Sequence, residues 1–150
     1  MSFIIEKTLE IKAPPTVVWE VLTDFAKYPE WNPFVVECKS TLEPGDAMDM
    51  RVKLIGPPQR QVEWMNEHRP GQRFAYNMKP FPLGGLRSLR SHDLEAIGAD
   101  ATRYRSYFQL DGWMMPLVRG MFGAAIERGM RGMWEGVQHR SEQLWAQRRR

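Results

Sequence analysis

Several polar residues of this sequence fall at spacings that bring them to one face of a β-sheet. Arg90 and His92 stand two apart, Tyr104, Ser106 and Phe108 form a second such series, and Tyr76 belongs to a third alternating run. Residues two apart in a strand share a face. Gathered in an apolar cup, arginine, histidine and tyrosine polarise a carbonyl, protonate an enolate or orient a bound ligand. Arg90, His92 and Tyr104 are therefore the candidates for catalysis. Alternation leaves two parities open. If Leu94 faces inward, Arg90 and His92 do too; if Leu89 and Ile97 face inward, Arg90 and His92 meet solvent.

Other chemistries lack their residues. A zinc site needs three or four convergent ligands, but His68, His92 and His139 have no paired spacing and Cys38 is a lone cysteine, so neither metal nor cofactor is expected. Ser88, Ser91 and Ser106 lie in no Gly-x-Ser-x-Gly elbow, and Gly84-Gly85 is too short to cradle a phosphate. The net charge of +3 equals the contribution of Arg148, Arg149 and Arg150. Such a tail is a solvated end and not a nucleic-acid face, so no nucleic-acid partner is expected. No apolar run is long enough to span a bilayer, and no signal pattern opens the chain. With one cysteine and no disulfide framework, a cytoplasmic protein is expected.

The elements that must position these residues follow from periodicity. The 150 residues, 43% hydrophobic and 26% charged, suit one globular domain over residues 1–150. Ser2 to Lys12 reads as a strand with an irregularity near Lys7. Pro15 opens a short helix with Val17, Val18, Val21 and Leu22 on one side, and Phe25 to Tyr28 form a second short helical turn. Six strands follow: Phe34–Lys39, Met48–Leu54, Gln59–Glu67 with Val62 and Trp64 inward, Phe74–Met78, Leu86–Ile97 and Thr102–Leu110. Arg69-Pro70-Gly71-Gln72 is a hairpin turn. Pro80 to Gly85 reads as the loosest stretch, with Phe81 and Leu83 exposed as a potential lid.

Pro116 to Trp145 carries the longest helical pattern. Phe122, Ile126, Met130, Met133, Val137 and Leu144 make one apolar stripe. Gly129, Gly132 and Gly136 lie beside it and admit two readings: close approach of the helix to its neighbour, or room for a ligand beneath it. An antiparallel sheet of seven strands curls, and closing it with one helix encloses apolar space.

The segment Ile11-Lys12-Ala13-Pro14-Pro15-Thr16-Val17-Val18-Trp19, then Val21-Leu22-Thr23-Asp24-Phe25 and Tyr28-Pro29-Glu30-Trp31-Asn32-Pro33-Phe34, resembles the SRPBCC (START-like) superfamily, most closely its polyketide cyclase/dehydrase-type branch. The resemblance implies an α+β helix-grip fold. A seven-stranded curved antiparallel sheet wraps a long C-terminal helix, two short helices follow the first strand, and a deep hydrophobic cavity lies between sheet and helix. Members bind lipids, polyketides or other apolar molecules, and some catalyse. Ser106 stands where the family often carries an acid. The expected partner is a hydrophobic or amphipathic small molecule, with one acidic or carbonyl end to meet the charge of an inward-facing Arg90. A polyketide cyclase, aromatase or dehydratase is the alternative, and a co-chaperone-like interaction module a further one. Inward parity assigns Phe34, Met50, Trp64, Tyr76, Met78, Arg90, His92, Tyr104, Ser106, Phe108, Phe122, Ile126, Met130 and Met133 to the ligand. The sequence leaves the oligomeric state and the ligand's identity open.

Overall fold

A computed structural model describes residues 2–150. Among them the elements run β1 (Phe3–Ile11), α1 (Pro15–Thr23), a 3-10 turn (Phe25–Lys27), α2 (Tyr28–Trp31), β2 (Val35–Lys39), β3 (Ala47–Val52), β4 (Gln59–Arg69), β5 (Arg73–Met78), a 3-10 turn (Pro82–Gly84), β6 (Arg87–Gly98), β7 (Ala101–Asp111) and α3 (Met115–Arg148). The seven strands form one antiparallel sheet in the order β1-β7-β6-β5-β4-β3-β2. Only β1 breaks sequence order, pairing with the last strand at one end of the sheet, so β1 and β2 are the edges. The concave face receives α3, giving the helix-grip fold.

Local chemistry accounts for the boundaries. Pro15 occupies the first turn of α1, where its missing N–H costs nothing. Asn32 Oδ1 accepts from the N–H groups of Phe34 and Val35 at 3.0 and 2.9 Å, setting the corner into β2. The β4–β5 hairpin closes through Gln72 N–H to Arg69 O at 2.9 Å, with Gly71 at φ 77° as a turn with proline before glycine requires.

Three sequence expectations need correction. β1 pairs with β7 in unbroken register, so there is no irregularity at Lys7. Pro80–Gly85 is tied rather than loose. Phe81 N–H donates to Leu86 O at 2.9 Å, Met114 N–H to Gly85 O at 2.9 Å, and the Trp113 indole to Leu83 O at 3.1 Å. Gly112, at φ 118°, makes this possible, because a Cβ there would fall 2.3 Å from Gly85 O. The third correction concerns Trp64, which is 39% exposed on the outer face. A bulge between Met65 and Glu67 separates it from the hairpin. Beyond that extra residue the parity reverses, so Glu63 and Met65 point inward and Val62 and Trp64 outward.

The glycines of α3 fit the close-approach reading. A Cβ at Gly129 would lie 2.1 Å from Phe34 Cδ1, one at Gly132 2.8 Å from Pro33 Cγ, and one at Gly136 2.6 Å from Trp31 O. Their missing side chains seat the Trp31–Phe34 corner against the helix, so none of the three opens ligand space.

Candidate ligand cavity

A cavity of about 470 Å³ lies between the concave face of the sheet and the N-terminal half of α3. Its apolar walls include Phe34 and Met50 from the β2–β3 side, Phe108 and Leu110 from β7, and Phe122, Ile126 and Met130 from α3. One wall is polar. Gln59, Gln61 and Glu63, alternate residues of β4, continue through Tyr76 and Met78 of β5 to Ser88 and Arg90 of β6. The cavity reaches solvent beside Ile55 and Phe81, both exposed. Leu83, Trp113, Leu117 and Met121 add exposed apolar surface on the same loop and helix.

The inward parity holds on β6. Tyr76 pairs with Arg90 and Phe74 with His92 across β5–β6, and Arg90, His92 and Leu94 are all buried. The two polar side chains then take different roles. The Arg90 guanidinium faces the cavity and donates to Ser106 Oγ at 2.7 Å, Tyr107 O and Ser91 O at 3.2 Å, and Met133 Sδ at 3.7 Å. Each acceptor is neutral, and Arg90 joins none of the ion pairs found among the described residues. Ser106 also accepts from the Trp134 indole at 2.8 Å. A serine at this position therefore orients Arg90 without neutralising it.

His92 is fully buried and does not line the cavity. Its Nδ1 meets Tyr104 OH at 2.7 Å, its Nε2 lies 3.5 Å from Tyr76 OH, and its ring stacks on Phe74 at 4.6 Å. Burial first, then the charges of Arg90 and Arg73, push its pKa well below the ordinary histidine value. The neutral ring serves as a hydrogen-bonding spacer behind the wall. Tyr104, also fully buried behind it, has a phenol pushed up by burial; Tyr76, which does line the cavity, is pushed up for the same first cause.

Of the residues expected at the ligand, Phe34, Met50, Tyr76, Met78, Arg90, Phe108, Phe122, Ile126 and Met130 line the cavity. His92, Tyr104, Ser106 and Met133 lie in the layer behind it, and Trp64 is on the opposite face. Gln59, Gln61 and Glu63 were not expected. The bulge hides them, because counting back from the hairpin in steps of two selects Trp64. Glu63 is half-buried, its open side facing the cavity. Burial raises its carboxyl to about 7, against the lowering effects of Gln61 and Arg90. Among the described residues no cluster of three or more histidine, cysteine, aspartate or glutamate side chains is arranged to hold a metal ion, and no helix is long and apolar enough to cross a membrane.

The sequence profile of the family described as polyketide cyclase/dehydrase and lipid transport matches residues 2–138. The chain belongs to that family. Its place in the polyketide cyclase/dehydrase family agrees with solved structures of the START/SRPBCC superfamily. The Zhui aromatase/cyclase of Streptomyces sp. R1128 superposes with a TM-score of 0.76 at 19% identity, covering 95% of this chain and 94% of that one. A START superfamily protein from Mycobacterium smegmatis gives 0.71 at 16%, over 94% and 98%. Norcoclaurine synthase from Thalictrum flavum gives 0.69 at 13%, over 94% of each chain. At these identities the shared property is the fold. No curated protein matches this family member by sequence.

Proposed function

We propose that the protein binds a hydrophobic or amphipathic small molecule in the sheet–helix cavity, and that Arg90 anchors an acidic or carbonyl end of it. One observation carries this reading. A guanidinium at the wall of a largely apolar cavity of about 470 Å³ touches four neutral acceptors and no carboxylate. A charge removed from water is stabilised by pairing, and a ligand anion supplies the missing partner. The volume fits a small molecule, and the apolar walls suit its body. A lone, buried cysteine is in keeping with a cytoplasmic setting.

A fatty-acid series measured against the matching alcohols tests the anchor. The acids are expected to bind at least about tenfold more tightly, the factor that corresponds to 1.4 kcal/mol, and Arg90→Met should abolish the difference. Equal affinity of parent protein for acids and alcohols would refute the anchor. Ile126→Trp, which fills the cavity, should weaken both classes.

The enzyme reading has one specific observation in its favour: the Glu63 carboxyl lines the cavity. Glu63, with a pKa raised to about 7, can give or take a proton at neutral pH. The earlier candidates His92 and Tyr104 sit behind the cavity wall, so Glu63 replaces them as the group to test. Turnover of a bound polyketide that is lost in Glu63→Gln would establish the cyclase or dehydratase class.

A further inference from the structure

Glu63 stands where its row asks for an apolar side chain. On the strands beside it, Met48 and Met78 are its register partners. Its carboxylate enters none of the ion pairs of the described residues, although arginines pair with Glu67 and Asp49 on the same part of the sheet. Arg90, on the same cavity wall, is likewise without a counterion. Two strand spacings and one two-residue step separate the two residues, about 12 Å between Cα positions in an ideal sheet. The intervening positions are Tyr76 and Met78 of β5. The cavity therefore holds one acid and one base that face the same space and do not touch.

The groups around Glu63 define its electrostatics. From its own strand comes the Gln61 amide; from β3, Met48 and Met50; from β5, Tyr76 and Met78; from β6, Ser88 and Arg90; from α3, Ile126 and Met130. Arg90 is the single charge in this set. Tyr76 and the nearby Cys38 titrate well above neutrality, both through burial, Cys38 at about 12. When an anion settles on Arg90, its negative charge cancels the one positive field that favours ionised Glu63. That change favours the protonated carboxyl, which titrates near neutrality even before the ligand enters. A protonated carboxyl is also a hydrogen-bond donor.

We propose that Glu63 contacts the ligand as a neutral proton donor. The cavity then selects an anionic amphiphile that carries a second oxygen, a keto or hydroxyl group several bonds from the acid, which accepts from Glu63 while Arg90 holds the anionic end. At a pH where the free carboxyl is ionised, each such ligand brings close to one proton into the protein. The inference deepens the anchor reading above and rests on it.

Three probes decide it: dodecanoic acid, a mid-chain oxo-dodecanoic acid, and dodecanol. Isothermal titration calorimetry in buffers of different ionisation enthalpy counts the protons taken up. At about pH 8 the parent protein should take up close to one proton per acid bound, and its affinity for the acids should fall about tenfold per pH unit above neutrality. The probes' own carboxyls stay ionised throughout this range. The oxo acid should bind more tightly than the plain acid. Glu63→Gln should bind both acids without proton uptake or pH slope and keep the oxo preference, because its amide still donates; Glu63→Leu should lose that preference. The proton count in the parent needs no variant to fold. Equal binding of dodecanol and the acids would overturn the anchor reading and this inference with it. A preference for acids with no proton uptake, or a slope that persists in Glu63→Gln, would overturn this inference alone.

Discussion

Two glycines of α3 separate the intrinsic cost of glycine from its packing role. Gly120 is exposed, with nothing within 4 Å of a Cβ added there. Gly129 faces Phe34, whose Cδ1 would lie 2.1 Å from the new carbon. Replacing either by alanine removes the same helix penalty, about 0.8–1 kcal/mol. Gly120→Ala should therefore stabilise the protein by about that amount, a rise of about 2–4 °C in Tm for a chain of this size. At Gly129 the gain meets overpacking, which costs about 1–3 kcal/mol in a well-packed core. The Phe34 ring cannot swing freely, since Asn32 fixes the backbone beside it and the ring itself forms a cavity wall. Gly129→Ala should fall below Gly120→Ala by about 1–3 kcal/mol, the steric term alone. Urea unfolding followed by tryptophan fluorescence measures both, with equal m-values confirming a common unfolded state. The same displacement should weaken ligand binding, because Phe34 has to move into the cavity or away from it. If Gly129→Ala stabilises as much as Gly120→Ala, the helix and the Trp31–Phe34 corner do not meet as described, and the role assigned to the glycines is wrong.

His92 should make part of the acid sensitivity. Its folded-state pKa is depressed, so the unfolded chain takes the proton first as pH falls. The stability held by the neutral ring is complete above about pH 6.5 and is lost below it, by at most about 1.4 kcal/mol per pH unit. His92→Phe should cost about 1–3 kcal/mol at neutral pH by leaving Tyr104 OH without its partner, and the gap to the parent should narrow on acidification. Urea titrations at several pH values check this, and a constant gap would mean the ring is not held neutral. Ser106→Asp should place a carboxylate against Arg90. The variant is expected to lose the preference for acids over alcohols, about tenfold or more, while alcohol binding, read by calorimetry, stays within a few-fold; an unchanged preference would show that Arg90 is not the anchor.

Much of the architecture was legible because it is local. The apolar stripe from Phe122 to Leu144 specifies a long helix by its period, and the observed α3 extends it only by a turn or less at each end. Pro70-Gly71 dictates its hairpin, and Pro15 its helix start. The segments Ile11–Trp19, Val21–Phe25 and Tyr28–Phe34 together carried the resemblance to the superfamily. What the sequence left open is parity. Arg90 and His92 had two possible faces, and pairing of Tyr76 with Arg90 and Phe74 with His92 selects one. On β4 the local pattern misleads, since Val62 and Trp64 are the apolar pair and yet face outward. The bulge between Met65 and Glu67 reverses the alternation, and Glu63 enters a row of methionines.

The same limit governs the site. The sequence by itself determined that a sheet and a helix would enclose space and that arginine, histidine and tyrosine were available to it. Tertiary structure decided that Arg90 has only neutral partners, that His92 and Tyr104 stand behind the wall, and that Glu63 shares the cavity. Periodicity reports what one element does along its own axis. A charge acquires or lacks a counterion through residues far away in the chain, and a single inserted residue inverts which side chains meet, so these outcomes are fixed only when the strands pair.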